Sequence, residues 1–378
     1  MLKSISHVTV CRNPQFYTTF PAVVAITPNE LFAVFRQAPN YCGWPGVPAG
    51  AYSHHSCLSR LMSSRSMDGG RSWSKAELLY ASPVGGCQDG GLYYDGRYLY
   101  ANSFLWIHVP QILAQKLRDN GYGTYLENMS AATLPGGCFL LRSADQGHTW
   151  EGPIQPDPLP DGSELFPGCP RRMHNRGNLV RGNDGSLLWA GERYSNHPAF
   201  HADIMLYRSI DDGRSFQYLS TPADSGGETL YEEPFLHITP KGKYVIMIRS
   251  QRLLPDGNKT RADLVTVESL DGGFSWSRPQ RWNIHAEPSA TCRLDDGRAL
   301  LVYGYRKPPF GVRGRVLSPE IDDLEETEEF IIRDDSPVID VGYPWIAPLG
   351  GDRFFIIYYL SRSDVPGAGG IEGSIVQF

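Results

Sequence analysis

Apolar stretches broken by a short polar turn recur six times along the chain and set its organisation. They span residues 20–36, 88–105 around Asp95-Gly96, and 178–193 around Asp184-Gly185. The other three span 233–249, 287–305 around Asp296-Gly297, and 343–359 around Gly350-Gly351. Each is predicted to be two strands joined by a tight turn. Pro21, Pro234, Pro288 and Pro344 are expected at the first position of their strands, where a missing N–H is tolerated best. A third strand follows each hairpin at 58–66, 138–143, 202–209, 262–269 and 312–318, whereas the last hairpin has only 371–378 after it. Segment 5–11 precedes the first hairpin and belongs to none. It is expected to fill the vacant fourth place of the last sheet, which removes a free edge and ties down both termini.

A second repeat overlays the first. Ser66-Met-Asp-Gly-Gly-Arg-Ser-Trp73 returns as Ser143 to Trp150, Ser209 to Phe216 and Ser269 to Trp276, with the pattern Ser-x-Asp-x-Gly-x-Ser/Thr-aromatic. Its aspartates, Asp68, Asp145, Asp211 and Asp271, lie 77, 66 and 60 residues apart. The Asp can accept turn amides, the Gly can take a positive φ, and the aromatic can anchor the turn. Four copies at such spacing mark a repeat architecture. Ser318-Pro-Glu-Ile-Asp-Asp323 reads as a fifth, decayed copy.

This octet resembles the Asp-box of the sialidase superfamily. The resemblance implies an all-β, six-bladed β-propeller over residues 1–378, with the N-terminal strand closing the last blade. It also implies that the boxes join strands three and four on the face away from the active site, so their aspartates are structural. The hairpin turns then share that lower face, and the irregular segments 37–57, 106–137 and 152–172 gather on the upper one, where binding usually lives. Within the 106–137 insertion, residues 109–121 open near Pro110 and stop at Gly121, which predicts a short helix.

Composition narrows the partners. A net charge of −6 offers no bulk field for nucleic acid or an anionic membrane. Seven scattered cysteines without a CxxC pair are neither a disulfide framework nor a zinc site, and no cofactor or metal is expected. No apolar run reaches the roughly 18 residues of a membrane span, and the first residues lack a signal-peptide core, so a cytoplasmic location is expected.

Candidate chemistry follows from topology. Residues just before the first-strand prolines should crowd the axis: Phe20, Glu233 with Glu232 behind it, Glu287 and Tyr343, joined by Asp89 from blade two and His174 or Arg176 from blade three. Second strands return to the same end at Arg36, Arg193, Arg249, Arg306 and Tyr359. The 16 residues from Glu233 to Arg249 bring both to one height on paired strands. Convergent charges of this kind suit a polar site. Within the resemblance, Tyr343 of Asp340-Val-Gly-Tyr-Pro-Trp345 looks like the family's nucleophile and Glu233 its activating glutamate. Arg249 and Arg313 look like two of its three substrate-clamping arginines. A carboxylate that takes the phenol's proton makes tyrosine a competent nucleophile, and guanidinium forks match carboxylates.

Two positions depart from the family pattern. Thr19 stands where the first clamp arginine would be, and no Asp or Glu occurs from Gln37 to Met67, where the acid/base aspartate belongs. His54 and His55 lie in that loop and are candidate substitutes. Arg171, Arg172, His174 and Arg176 form a basic cluster that can replace the lost arginine. The principal expectation is an exo-acting glycoside hydrolase for a terminal, acidic sugar, with Arg249, Arg313, Arg36, Arg306, Asp89, His174 and Arg176 binding substrate. Three alternatives stand beside it. One is β-elimination from a uronate, another is an inverting hydrolase using Glu233 and Glu287 at a separation of about 6.5–9.5 Å, and the last is a glycan-binding propeller without catalysis.

Overall fold

The computed structural model describes residues 2–45, 53–122, 127–128, 131–174, 176–195, 201–226, 229–254, 259–261, 263–361 and 365–378. Residues 46–52 of the first long loop, 123–126 and 129–130 of the second, and residue 262 of the expected strand 262–269 lie outside the described residues.

Six antiparallel sheets form the blades of a β-propeller. Blade one contains Phe16–Ala25, Leu31–Pro39, Arg60–Ser66 and Glu77–Tyr80. Blade two has a split inner strand, Gly86–Cys87 and Gly91–Tyr94, followed by Leu99–Pro110, Ala131–Ser143 and Glu151–Ile154. Blade three runs Leu179–Arg181, Leu187–Ser195, His201–Ser209, Gln217–Ala223. Blade four runs Thr229–Ile238, Tyr244–Leu253, Val265–Ser269, Gln280–Arg281, with Lys259–Arg261 added beside the far end of its second strand. Blade five runs Ser289–Arg293, Ala299–Tyr305, Phe310–Leu317, Phe330–Ser336. Blade six holds Val341–Gly350, Arg353–Ser361 and Gly369–Gln377, and Ser4–Arg12 completes it from Ser4↔Gln377 to Arg12↔Gly370. Each inner strand touches those of both neighbouring blades, so the ring closes around one axis. The hydrophobic core lies in the seams between successive blades.

The boxes hold those seams. In each, the first Ser hydroxyl donates to the Asp and accepts the amide of the Gly four residues on, as Ser66 does with Asp68 and Gly70. The other Asp oxygen takes the second Ser or Thr hydroxyl. Each box leans on the preceding blade. Trp73 meets Phe355 of blade six with ring centroids 5.3 Å apart, Trp150 meets Phe32 of blade one at 6.0 Å, and Trp276 Nε1 donates to Ser220 Oγ of blade three at 3.0 Å. Gly69 N donates to Asn29 O in the first hairpin turn at 2.8 Å, so boxes and hairpin turns share one face. In the decayed copy of blade five, the Ser318 hydroxyl still donates to Asp322 and its amide to Asp323.

The expectation about the prolines is corrected. Pro21, Pro234 and Pro344 lie inside their strands, and only Pro288 precedes one. In blade one the register passes from Thr19↔Arg36 to Ala22↔Val34, in blade four from Glu232↔Arg249 to Phe235↔Met247, and in blade six from Gly342↔Tyr359 to Trp345↔Ile357. Two residues therefore oppose one in each, which is a β-bulge, and the second bulge residue is the proline, whose missing N–H the interrupted ladder does not need. The first bulge residue is Phe20, Glu233 or Tyr343, at φ 54°, 52° and 54°.

The short helix forms at Gln111–Asp119. It caps a two-stranded extension of blade two in which Pro110 pairs with Ala131 and Trp106 with Pro135. His108 Nε2, on that extension, donates to the His55 carbonyl and ties it to the loop of blade one.

Candidate active site

The three bulges aim their first residues at the end of the axis opposite the boxes. A non-glycine residue at positive φ costs about 1–3 kcal/mol, and such strain tends to persist where geometry is used. Here it turns Glu233 and Tyr343 toward each other across the ring. Tyr343 Oη donates to Glu233 Oε1 in a short hydrogen bond, and Arg249 Nη1 donates to Glu233 Oε2 at 2.9 Å and to Tyr343 Oη at 3.3 Å. Phe20, the third bulge residue, lies against the Tyr343 ring at 4.7 Å and the His54 ring at 5.2 Å. Burial and the Glu233 charge hold the Tyr343 phenol well above its ordinary pKa, against the pull of Arg249. It is therefore protonated at rest, with its proton already directed at Glu233.

A cavity of about 330 Å³ opens at this cluster. Tyr343, Glu233, Arg249, Arg306, Asp89, His54, His55 and His174 all line it. Arg36, Arg176 and Glu287 lie behind the wall. Arg176 stacks on the rings of Tyr343 at 5.2 Å and Trp345 at 4.8 Å, propping the phenol from behind. Arg36 is fully buried, and its Nη2 donates to the His54 carbonyl at 2.9 Å. Glu287 is fully buried and gathers Arg261 Nε at 2.9 Å, Arg249 Nη2 at 3.6 Å and Arg306 Nη1 at 3.7 Å. It organises the arginines and does not face the cavity, which removes it as the second carboxylate of an inverting pair.

Arg313 is not brought to the site. It lies opposite Tyr303 on the third strand of blade five, stacks on Tyr305, and donates to the carbonyls of Arg333 at 2.6 Å and Pro309 at 3.1 Å. The basic cluster of blade three is likewise no open rim: Arg171 is buried and donates to the Glu164 carbonyl, and Arg172 to that of Pro156.

The two loop histidines are in place, but their electrostatics oppose the acid role expected of them. Burial first, then Arg36 and neighbouring cations, push His54 down to about 3, and burial with His54 and Arg36 pushes His55 down to about 2. Both imidazoles are neutral near pH 7, and the single N–H that each keeps is far too weakly acidic to protonate a leaving group. His174 is similarly pushed down to about 3 by burial and Arg171.

Asp340, Lys259 and Gln88 also line the cavity, and sequence reasoning gave them no role. Asp340 accepts Tyr17 Oη at 2.7 Å, Tyr359 Oη at 2.5 Å and Ser361 Oγ at 2.6 Å, which fixes the end of blade six beside blade one. Tyr359 in turn receives Arg306 Nη2 at 3.1 Å. The signal for Asp340 was its position three residues before Tyr343. For Lys259 there was none, because the strand bearing it is an addition to the repeat.

A family model described as a BNR repeat-like domain matches residues 124–351. None of the curated proteins matches the chain. Among solved structures, a protein of unknown function from Dyadobacter fermentans is 28% identical with a TM-score of 0.86, covering 99% of both chains. The NanB sialidase of Streptococcus pneumoniae is 12% identical with a TM-score of 0.61, over 98% of this chain and 70% of that one. An α-L-arabinofuranosidase of Fusarium graminearum is 12% identical with a TM-score of 0.62, over 98% of this chain and 97% of that one. At 12% identity, these two likenesses are likenesses of fold.

Proposed function

Because the chain belongs to the BNR repeat-like domain family and has a sialidase-like propeller fold, we propose that it is an exo-acting glycoside hydrolase. Its reaction is retaining, with Tyr343 as nucleophile and Glu233 as the base that activates it. The observation that carries this is the hydrogen bond from Tyr343 to Glu233, bridged by Arg249. A phenol high in pKa attacks only if its proton leaves as the bond to the anomeric carbon forms, and Glu233 is placed to take it. Arg249 offers charge to the phenolate as it develops and keeps the accepting carboxylate oriented. The cavity of about 330 Å³ at the end of the axis suits a single terminal sugar.

The wall supports an acidic sugar. Burial raises both Asp89 and Glu232. Both shifts favour the uncharged carboxyl beside Arg249, Arg306 and Lys259, which makes that wall more receptive to an anionic group. An elimination route loses its histidine base, since imidazoles held at about 2 to 3 are weak bases.

The test is product analysis on sialosides, uronides and neutral aryl glycosides, with the anomeric configuration of the first-formed sugar followed by NMR. Release of the terminal sugar with retained configuration is expected. Inversion, or an unsaturated product, would contradict the mechanism. Silence across the panel alongside glycan binding would leave a binding propeller.

A further inference from the structure

On the hydrolase reading above, a leaving group needs a proton, and neither His54 nor His55 can supply one. We infer that Asp89, presented by blade two, is the general acid/base of this site. Its backbone is held on the channel wall: Gln88 N donates to Phe104 O at 2.9 Å, and Gly90 N to Phe20 O at 3.2 Å. Gly90 packs so closely that a Cβ there would lie 2.8 Å from Val34 Cγ2. The Asp89 side chain lines the cavity at only 3% exposure, yet its carboxyl makes no hydrogen bond or ion pair among the described residues. Other carboxylates of the centre are committed: Glu233 to Tyr343 and Arg249, Asp340 to three hydroxyls, Glu287 to arginines. A buried carboxyl left without a partner is costly unless it is neutral or waiting for a ligand.

Glu232 is the other buried wall carboxyl with an oxygen, Oε2, that has no hydrogen-bond partner among the described residues. It adjoins Glu233 on the same strand, on the base's side of the site. Asp89 reaches the same cavity from blade two, two blades from both Glu233 and Tyr343, so a sugar seated among them meets its carboxyl on a side that the base does not occupy.

The groups facing Asp89 are Arg36 from blade one, Arg176 from blade three, Glu233 and Arg249 from blade four, and Tyr343 from blade six. Burial outweighs the arginines, and with the push of Glu233 the carboxyl is carried up to about 7. It is therefore largely protonated in mildly acidic to neutral solution, as a donor must be. In the first half-reaction Tyr343 Oη bonds to the anomeric carbon and its proton passes to Glu233. The glycosidic C–O bond breaks as Asp89 protonates the departing oxygen. In the second, Asp89 as carboxylate takes a proton from water, water oxygen bonds to the anomeric carbon, and the freed phenolate recovers its proton from Glu233.

The experiment uses aryl glycosides of the sugar class that the wild type cleaves, with phenols of graded acidity, on wild type, Asp89→Asn and Glu232→Gln. Circular dichroism confirms folding of each. Asp89→Asn should lose roughly 10²–10⁴-fold in kcat/KM on the least acidic phenols and far less on dinitrophenol, which leaves unaided. Its alkaline limb near pH 7 should vanish, and added azide should raise its turnover and give a glycosyl azide of retained configuration. An equal loss along the whole phenol series, or the leaving-group signature in Glu232→Gln instead, would overturn the assignment. A wild type silent on every glycoside overturns the hydrolase reading itself and the acid with it, a result visible before any variant is assayed.

Discussion

Ionising Asp89 in the folded protein puts a charge on a wall that burial has stripped of water, and its carboxyl sits at about 7 against the ordinary 3.8. The sign of the linkage follows: the folded state binds this proton more tightly, so the group's contribution to stability is full below about pH 4 and is lost as pH rises through about 7. Asp89→Asn removes that dependence. The stability difference between variant and wild type, from urea melts at successive pH values, should move in favour of the variant by a few kcal/mol between pH 4 and 8. A difference that stays flat with pH would show the carboxyl to be ordinary. Such a residue can be named from sequence but not weighed. Asp89 was legible as an inner-strand acid, but its protonation is set first by burial and then by the balance of Arg176, Glu233 and Arg36, which come from three other blades. The histidines failed as acids for the same reason, since their depression comes from burial that no local pattern records. Arg313 was misplaced because its role rested on a family resemblance, while its guanidinium turns to carbonyls of its own blade.

At the scale of the element, two recurrent devices divide the work. The bulge with proline in second place was half legible: Phe20-Pro21, Glu233-Pro234 and Tyr343-Pro344 stood out, but not the positive φ, which needs the register of the partner strand. The Asp-box turn was legible because the hydrogen bonds that shape it, linking Ser66 with Asp68 and Gly70 and Ser72 with Asp68, close within eight residues. Its seam contacts, such as Trp276 Nε1 to Ser220 Oγ, were not. Its glycine is demanding. Gly70 sits at φ +87°, and a Cβ there would meet Phe355 Cδ2 at 2.4 Å. Gly70→Ala should therefore strain the turn and force the seam between blades one and six apart. A loss of roughly 1–3 kcal/mol is expected in denaturant melts, with kcat/KM of the folded fraction unchanged because the box lies opposite the site. Wild-type stability in that variant would mean that the seam yields freely.

The molecule as a whole is a ring whose last blade borrows its outer strand from the other end of the chain. Ser4–Arg12 covers Gly369–Gln377, and Arg12 pairs with Glu372 across them at 2.5 Å. Removing residues 1–12 bares that edge to other molecules. The truncated protein should melt at lower temperature and associate further than the full chain on size-exclusion chromatography, and a profile and melt identical to the full chain's would argue that closure is dispensable. Closure matters to chemistry because the proposed centre has no local origin: Asp89 comes from blade two, Glu233 and Arg249 from blade four, and Tyr343 from blade six. Tyr343→Phe should fold normally and lose roughly 10³-fold or more in turnover. The most direct test is to trap the intermediate with a fluorinated sugar of the cleaved class and map the labelled peptide by mass spectrometry. The sugar should be found on Tyr343. A label on Glu233, or brisk wild-type turnover with nothing trapped and inverted product, would contradict the account.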